Sequence, residues 1–270
     1  MIKMNIEKQK QERLGKENRN TFGTLMKIVE YESSSNVTIE FQDEYKFRKK
    51  CDYNKQFIRG EVRNPYDKET YNVGYIGVGK YKTKEKGKIT KSYQTWKSML
   101  QRCYDPYYIN KEPAYKDCYV CKEWHCFQSF AEWWEENVYN CNNERMELDK
   151  DILVKGNKIY SPETCLIVSQ RINNLFVKRR NDRGEYPIGV TYRKKDDCLY
   201  SQCQIIDERG KYKRKHLGSF PLNRPFQAFY TYKQFKENYI KQVADEYYSK
   251  GLIPKKLYDA MYKYEVEIND

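Results

Sequence analysis

The chain has 270 residues, with 51 Lys and Arg against 38 Asp and Glu and a formal net charge of +13. Hydrophobic residues make up only 39%, but 16% are aromatic and 27 are Tyr, which excludes the aromatic-poor composition of a disordered chain. No apolar run approaches the roughly 20 residues of a membrane-spanning helix. The basic excess makes nucleic acid the expected partner ahead of a merely soluble basic enzyme, because clustered cations displace condensed counterions from phosphates. Nine scattered Cys, and residues 1–14 without a signal-peptide core, point to a reduced, cytoplasmic setting and no membrane partner. The length suggests two or three domains.

Residues 1–20 are polar and charged and read as a flexible or weakly helical leader. A small β domain is expected over 21–80. Met26, Ile28 and Tyr31 precede the serine-rich turn 33–36, after which Val37, Ile39 and Phe41 alternate with Thr38, Glu40 and Gln42. Segments 55–60 and 71–76 extend this pattern as further strands, and Gly74, Gly77 and Gly79 read as turn glycines. Residues 81–92 form a lysine-rich linker, either a solvated tether or a phosphate-contacting arm.

A central domain is expected over 93–178. Trp96, Met99, Leu100 and Cys103 fall on one helical stripe, and Phe127, Phe130, Ala131, Trp134 and Val138 on another. Between them Cys118 and Cys121 form a C-x-x-C followed by His125 and Cys126, ligand types that suit Zn2+, although free buried core thiols are the default reading. Next comes a polar set: Asp149, Lys150 and Asp151, then Gly156-Asn157, then Asn173-Asn174. Strand alternation would turn Asp149 and Asp151 to one side, able to share a cation, with Lys150 on the other. A hairpin followed by an N-capped helix accounts for the same turn residues without chemistry. Glu132, Glu135, Glu136, Glu144, Glu147, Asp149 and Asp151 form an acidic island within the basic chain.

The last domain, 179–270, reads as three short strands with turns at Asp196-Asp197 and at 208–210, then a helix to about residue 249 carrying Ala228, Tyr232, Phe235, Tyr239 and Val243 on one stripe. In the second strand Leu199, Ser201, Cys203 and Ile205 suit the helix side, so Tyr200, Gln202 and Gln204 face out. From Lys178 to His216, twelve Lys and Arg stand against six Asp and Glu. Leu257, Tyr258, Met261 and Tyr264 predict a final helix that packs back on the protein.

Two resemblances follow from these residues. The T-W-x-x-M-L-x-R-C-Y of Thr95 to Tyr104, the V-C-x-E-W-x-x-F-x-x-F-x-x-W of Val120 to Trp133 and the L-D-K-D-I…G-N…Y-S-P-E-T-C of Leu148 to Cys165 make 93–176 resemble phage-borne HNH homing-endonuclease-like proteins. The resemblance implies a ββα centre in which Asp149 or Asp151 is the metal-side carboxylate, Asn157 fixes the loop, and Asn173 or Asn174 completes an Mg2+ or Mn2+ site. The general-base position falls on Lys150, where the family has His. A lysine, which ordinarily loses its proton only near about pH 10.4, is a poor base at neutral pH, and this leaves His125 as the other candidate.

The G-V…Y…G-K…L-G-S-F…A-F-x-x-Y pattern from Gly189 resembles the ethylene-response-factor, APETALA-type DNA-binding domain. That resemblance implies a three-stranded sheet in the major groove of duplex DNA. Thr191, Arg193, Gln202, Gln204, Arg214 and His216 would point at bases, and Lys194, Lys195, Lys213 and Lys215 at phosphates.

The expected fold is therefore α+β and multidomain: a small β domain, an HNH-like ββα module with flanking helices, and a three-stranded sheet packed on a helix. The leading expectation is a sequence-specific double-stranded DNA-binding protein of phage or mobile-element type, catalytically degenerate, encoded by a phage or prophage in a bacterial host. A divalent-metal HNH-type endonuclease is the alternative, and an RNA-binding or protein-interaction adaptor, suggested by the tyrosine content, is the third.

Overall fold

The computed structural model describes residues 2–178, 185–206 and 211–270. The chain mixes helices with several small sheets and divides into two compact units, Met1–Glu135 and Glu136–Asp270.

The first unit opens with α1 (Ile2–Arg13) and an antiparallel meander of β1 (Glu17–Arg19), β2 (Leu25–Ser33), β3 (Asn36–Phe41) and β4 (Arg48–Cys51) in sequential order. The leader is thus a helix and an edge strand, the end of the helix fastened by the Arg13 guanidinium lying 4.1 Å from the Tyr53 ring centroid. Met26, Ile28, Val37, Ile39 and Phe41 are buried on one face, as period-two alternation requires. A register shift between Ile28 and Glu30 brings Tyr31 onto that same face.

Two expected strands are absent. At 55–60 the chain instead forms a helical turn, Tyr53–Phe57, because Asp52 caps it by accepting a hydrogen bond from the Lys55 backbone N–H at 2.8 Å; Phe57 then enters the core. At 71–76 the chain is a tight loop, with Tyr71 and Asn72 in the left-handed region at φ 51° and 59°. Only two isolated bridges form there, Thr70 with Gly74 and Tyr75 with Cys126. A side chain on Gly74 would stand 2.4 Å from Leu100 Cδ1, so this glycine serves close packing rather than a turn.

The lysine-rich linker contains a small hairpin, β5 (Lys84–Glu85) and β6 (Lys88–Ile89), turned by Lys86 and Gly87 at positive φ. Thr90 then caps α2 (Lys91–Tyr104), whose Trp96, Met99, Leu100 and Cys103 are buried as the stripe predicts. A short α3 (Pro106–Lys111) and β7 (Tyr119–Val120) lead to α4 (Phe127–Asn137). The α2 and α4 stripes meet through Trp96 and Phe127, ring centroids 5.6 Å apart, while Trp96 Nε1 donates to the Trp124 carbonyl at 2.7 Å.

In the second unit β8 (Met146–Asp149) pairs antiparallel with β10 (Leu166–Ser169), a loop carrying β9 (Ile159–Tyr160) lies between them, and α5 (Gln170–Asn173) follows with Ser169 as its N-cap. A second sheet, β11 (Val190–Arg193), β12 (Cys198–Ile206) and β13 (Tyr212–Phe220), is antiparallel in sequential order. The 25-residue α6 (Pro225–Ser249) and α7 (Lys255–Tyr262) complete it. Ala228, Phe229 and Tyr232 of α6 pack on Val190, Leu199 and Cys203 of this sheet. Further along α6, Ile240, Val243, Ala244 and Tyr247 join Ile152, Leu166, Val168 and Ile172 with Leu257 and Met261 of α7. The expected turn at 208–210, and Arg179, Arg180, Arg183 and Arg209 of the basic count, lie outside the described residues.

Gly189 has φ +79°, and an added Cβ would stand 2.1 Å from Tyr232 Cγ. Gly189→Ala is expected to lower stability by about 2–4 kcal/mol in urea unfolding, combining left-handed strain with overpacking. Lys236 is only 8% exposed, and burial lowers its pKa despite the opposing influence of Cys203. A depressed lysine makes the folded state release its proton first, so stability rises with pH between the folded and unfolded pKa. Lys236→Met should therefore be more stable than the parent at pH 7, with the gap narrowing toward pH 10, as urea melts at the two pH values will show.

Candidate functional site

The polar set at the end of β8 is assembled by a turn, not by strand alternation. The strand stops at Asp149, whose Oδ1 accepts hydrogen bonds from the backbone N–H of Asp151 at 2.8 Å and of Ile152 at 2.7 Å. This short-range capping defeats the continuation of the strand, so Asp149 and Asp151 do not share a face as expected. Asp149 is held in a setting whose burial raises its pKa, against the lowering by those two N–H groups.

Lys150 is nearly enclosed, 6% exposed, and its ammonium donates to both Asp151 oxygens at 2.9 and 2.8 Å and to the Asn157 carbonyl at 2.6 Å. Three donors meet three acceptors, which makes Lys150 a structural donor that ties Asp151 to the loop. Asn157 returns the contact. Its Nδ2 donates to the Lys150 carbonyl at 2.9 Å and to the Ile159 carbonyl at 2.6 Å, and its Oδ1 accepts from the Ile159 N–H at 3.0 Å. Asn157 therefore closes the 150–159 loop.

The paired asparagines diverge. Asn173 Nδ2 donates to Glu147 Oε2 at 2.6 Å, and Glu147 also pairs with Arg145 at 3.5 Å. Asn174 Nδ2 donates to the Tyr212 hydroxyl at 2.7 Å, on the three-stranded sheet. Asp149, Asp151 and Asn174, the expected Mg2+ or Mn2+ ligands, thus have their polar groups turned to protein partners. Among the described residues no group of three His, Cys, Asp or Glu side chains converges to hold a metal. The donor set, as arranged among the described residues, does not fit a divalent cation.

His125 belongs to the first unit, where its Nε2 lies 3.1 Å from the Val120 carbonyl oxygen and its ring meets Tyr104 edge-on; burial lowers its pKa. Of the expected zinc ligands, Cys118 is buried with Sγ 3.9 Å from the Ala114 carbonyl, Cys121 is half-buried, and Cys126 packs its sulfur against Gly77.

On the second sheet the alternation of β12 holds as read: Leu199, Ser201 and Cys203 are buried, whereas Gln204 is exposed and Tyr200 and Gln202 are half-exposed. Register then assigns the neighbours. Thr191 lies opposite Tyr200 and Arg193 opposite Cys198, while His216 lies opposite Gln202 and Arg214 opposite Gln204. Thr191, Arg193, Gln202, Gln204, Arg214 and His216 accordingly share the face away from α6. Lys194 and Lys195 are exposed in the turn beyond β11.

Lys213 and Lys215 differ from the expectation. They lie opposite Ile205 and Cys203, on the helix side, and the Lys215 ammonium sits 4.7 Å from the Phe235 ring centroid. Their parity relative to Arg214 decides this, and a strand of mixed cations conceals it unless parity is applied to every member.

The outer face is organised by a residue that residue-type reasoning passes over. The Tyr200 ring lies 5.2 Å from the Arg193 guanidinium and 4.5 Å from the His216 ring, and its hydroxyl donates to Asp196 at 2.6 Å. Gln202 Nε2 donates to Thr191 Oγ1 at 2.9 Å, and Ser219 Oγ is 3.3 Å from His216 Nε2. These contacts preset side chains of all three strands. Glu147 is likewise explained only once β10 and α5 bring Asn173 above β8.

Comparison with known protein families, curated proteins and solved structures finds no match.

The two acceptor roles of Asp149 Oδ1 need oxygen but not charge. Asp149→Asn should leave urea stability within about 1 kcal/mol of the parent, whereas Asp149→Ala, which orphans two backbone N–H groups, should cost about 1–3 kcal/mol for each that stays dry.

Proposed function

We propose that this chain binds duplex DNA sequence-specifically through the outer face of β11, β12 and β13. The observation that carries this reading is the gathering of Thr191, Arg193, Gln202, Gln204, Arg214 and His216 on one side of a sheet whose other side is packed on α6. Dimensions agree with the role. Neighbouring strands lie about 4.8 Å apart, so the sheet spans roughly 10 Å, close to the roughly 12 Å width of the major groove. Along β12, Gln202 and Gln204 stand two residues apart, about 6.8 Å, which matches two base-pair steps of about 3.4 Å.

The residue types suit direct readout. An arginine pairs bidentately with guanine and a glutamine amide with adenine, and the Thr191 methyl suits thymine. Lys194 and Lys195 at the hairpin turn are placed to meet phosphates, which fix register without selecting sequence. Holding Arg193 against Tyr200 reduces the rotamer freedom lost on binding. The polar centre enters this reading as a scaffold: the Lys150 ammonium supplies the positive charge that secures Asp151 and the loop, and with it the wall of the core beneath α6. This is the sense in which the centre is degenerate.

Fluorescence anisotropy with duplexes chosen by selection from a random pool tests the reading. Arg193→Ala and Arg214→Ala should each weaken the selected duplex by about 1–3 kcal/mol and relax preference at one or two positions. Lys213→Ala should leave sequence preference unchanged. An unaltered preference in both arginine variants would remove this face from the reading, and stronger binding to single-stranded RNA than to duplex DNA would favour an adaptor instead. Cutting of bound duplex in Mg2+ or Mn2+ would assign the chain to the endonuclease alternative.

A further inference from the structure

The first unit holds a cleft of about 520 Å³ that the DNA reading does not use. It lies where the loop between β3 and β4 meets the segment 64–75. Its floor is aromatic. The Tyr45 and Tyr66 rings stack with centroids 3.9 Å apart and planes within 4°, and Tyr75 tilts against both at 5.7 and 5.8 Å. Tyr45 Oη donates to Tyr75 Oη at 3.0 Å, which locks the group. Burial raises the pKa of Tyr66 and Tyr75, so both phenols stay neutral under ordinary conditions.

Around these rings the charge is opposite to that of the chain as a whole. Asp43, Glu44 and Asp67 line the cleft against one cation, Lys68. The two aspartates are fixed. Asp43 Oδ1 accepts from the backbone N–H of Tyr45 and Lys46, each at 3.0 Å, and its Oδ2 accepts from Asn64 at 2.6 Å. Asp67, 5% exposed, accepts from Thr24 Oγ1 at 2.5 Å and from Asn20 Nδ2 at 2.6 Å. All of these donors are neutral. None of the three carboxylates makes an ion pair among the described residues, so the cleft retains net negative charge beside π faces.

That combination selects a ligand class. Phosphates and other anions are repelled by three carboxylates, which also sets the cleft apart from any DNA footprint. A small hydrated metal ion needs converging free oxygens, and the aspartate oxygens already accept hydrogen bonds. A large, weakly hydrated organic cation needs neither; it gains from aromatic faces and from unpaired negative charge at short range. The volume lies in the range of small-ligand clefts.

We propose that the cleft lined by Tyr45, Tyr66, Tyr75, Asp43, Glu44 and Asp67 binds an organic monocation, an alkylated ammonium or guanidinium group. Calorimetric titration of the full chain with tetramethylammonium, methylguanidinium and the neutral isostere tert-butanol tests this. Saturable binding of at least one cation, weakened by added salt and absent for tert-butanol, is the expected result. Glu44→Gln, an exposed change that leaves the fold intact, should weaken it severalfold. Tyr66→Leu should weaken it about 3- to 30-fold, and Lys68→Ala should strengthen it. An acetylated tripeptide carrying trimethyllysine separates two sources: tighter binding than tetramethylammonium assigns a modified side chain of a partner, and equal binding assigns a free amine. No saturable heat from either cation, equal heat from tert-butanol, or full affinity in both the Glu44 and Tyr66 variants would overturn the proposal.

Discussion

The second unit depends on one helix being buried twice. Along α6, about 37 Å for 25 residues at 1.5 Å each, the apolar stripe first covers the inner face of the β11–β13 sheet and then, after Lys236, passes into the core built by β8, β10, α5 and α7. Each fully buried side chain among Phe229, Ile240, Val243 and Tyr247 contributes about 1.5–3 kcal/mol of transfer free energy. Neither core is closed without its portion of this helix. The inner face of the sheet is committed to α6 through Val190, Leu199 and Cys203, which leaves the polar outer face exposed, and the loop of the polar centre is anchored because Ile152 reaches into the second core.

Much of this was legible in the sequence, and the legible parts share a cause. The stripes of α2 and α6 and the alternation of β12 are long enough for periodicity to outweigh local competition. Trp96, Met99, Leu100 and Cys103 are buried together for that reason. Short segments yielded to side-chain capping instead. Asp52 turned 53–57 into a helical turn, and Asp149 ended β8 two residues short of Asp151, with which alternation would have paired it. In both places an aspartate oxygen satisfying nearby N–H groups outweighed a period-two pattern only a few residues long. Periodicity also carried no information on the bridging of Asn174 to Tyr212, which joins residues 38 apart in sequence.

The charge distribution acquires a structure of its own. Within the acidic island, Glu144 accepts from the Tyr247 hydroxyl at 2.7 Å, Glu147 from Asn173, Asp149 from two backbone N–H groups, and Asp151 from Lys150. These four acids are spent on holding the second unit together. Asp151 and Glu147 also face cations, Lys150 and Arg145, whereas none of the three carboxylates of the tyrosine cleft makes an ion pair among the described residues. Partners, not composition, tell these two groups of acids apart.

The double burial of α6 also bears on how such a chain can be rearranged by recombination. Residues 93–178 and 179–270 look like exchangeable cassettes, but a crossover near residue 178 would carry the whole of α6 away with the sheet. The recipient would receive Ile240, Val243 and Ala244 as an uncovered apolar stripe, and the donor would keep Ile152, Val168 and Ile172 with nothing above them. The sheet and the polar centre are therefore joined through α6, and a cut near residue 178 would leave apolar surface bare on both sides of it.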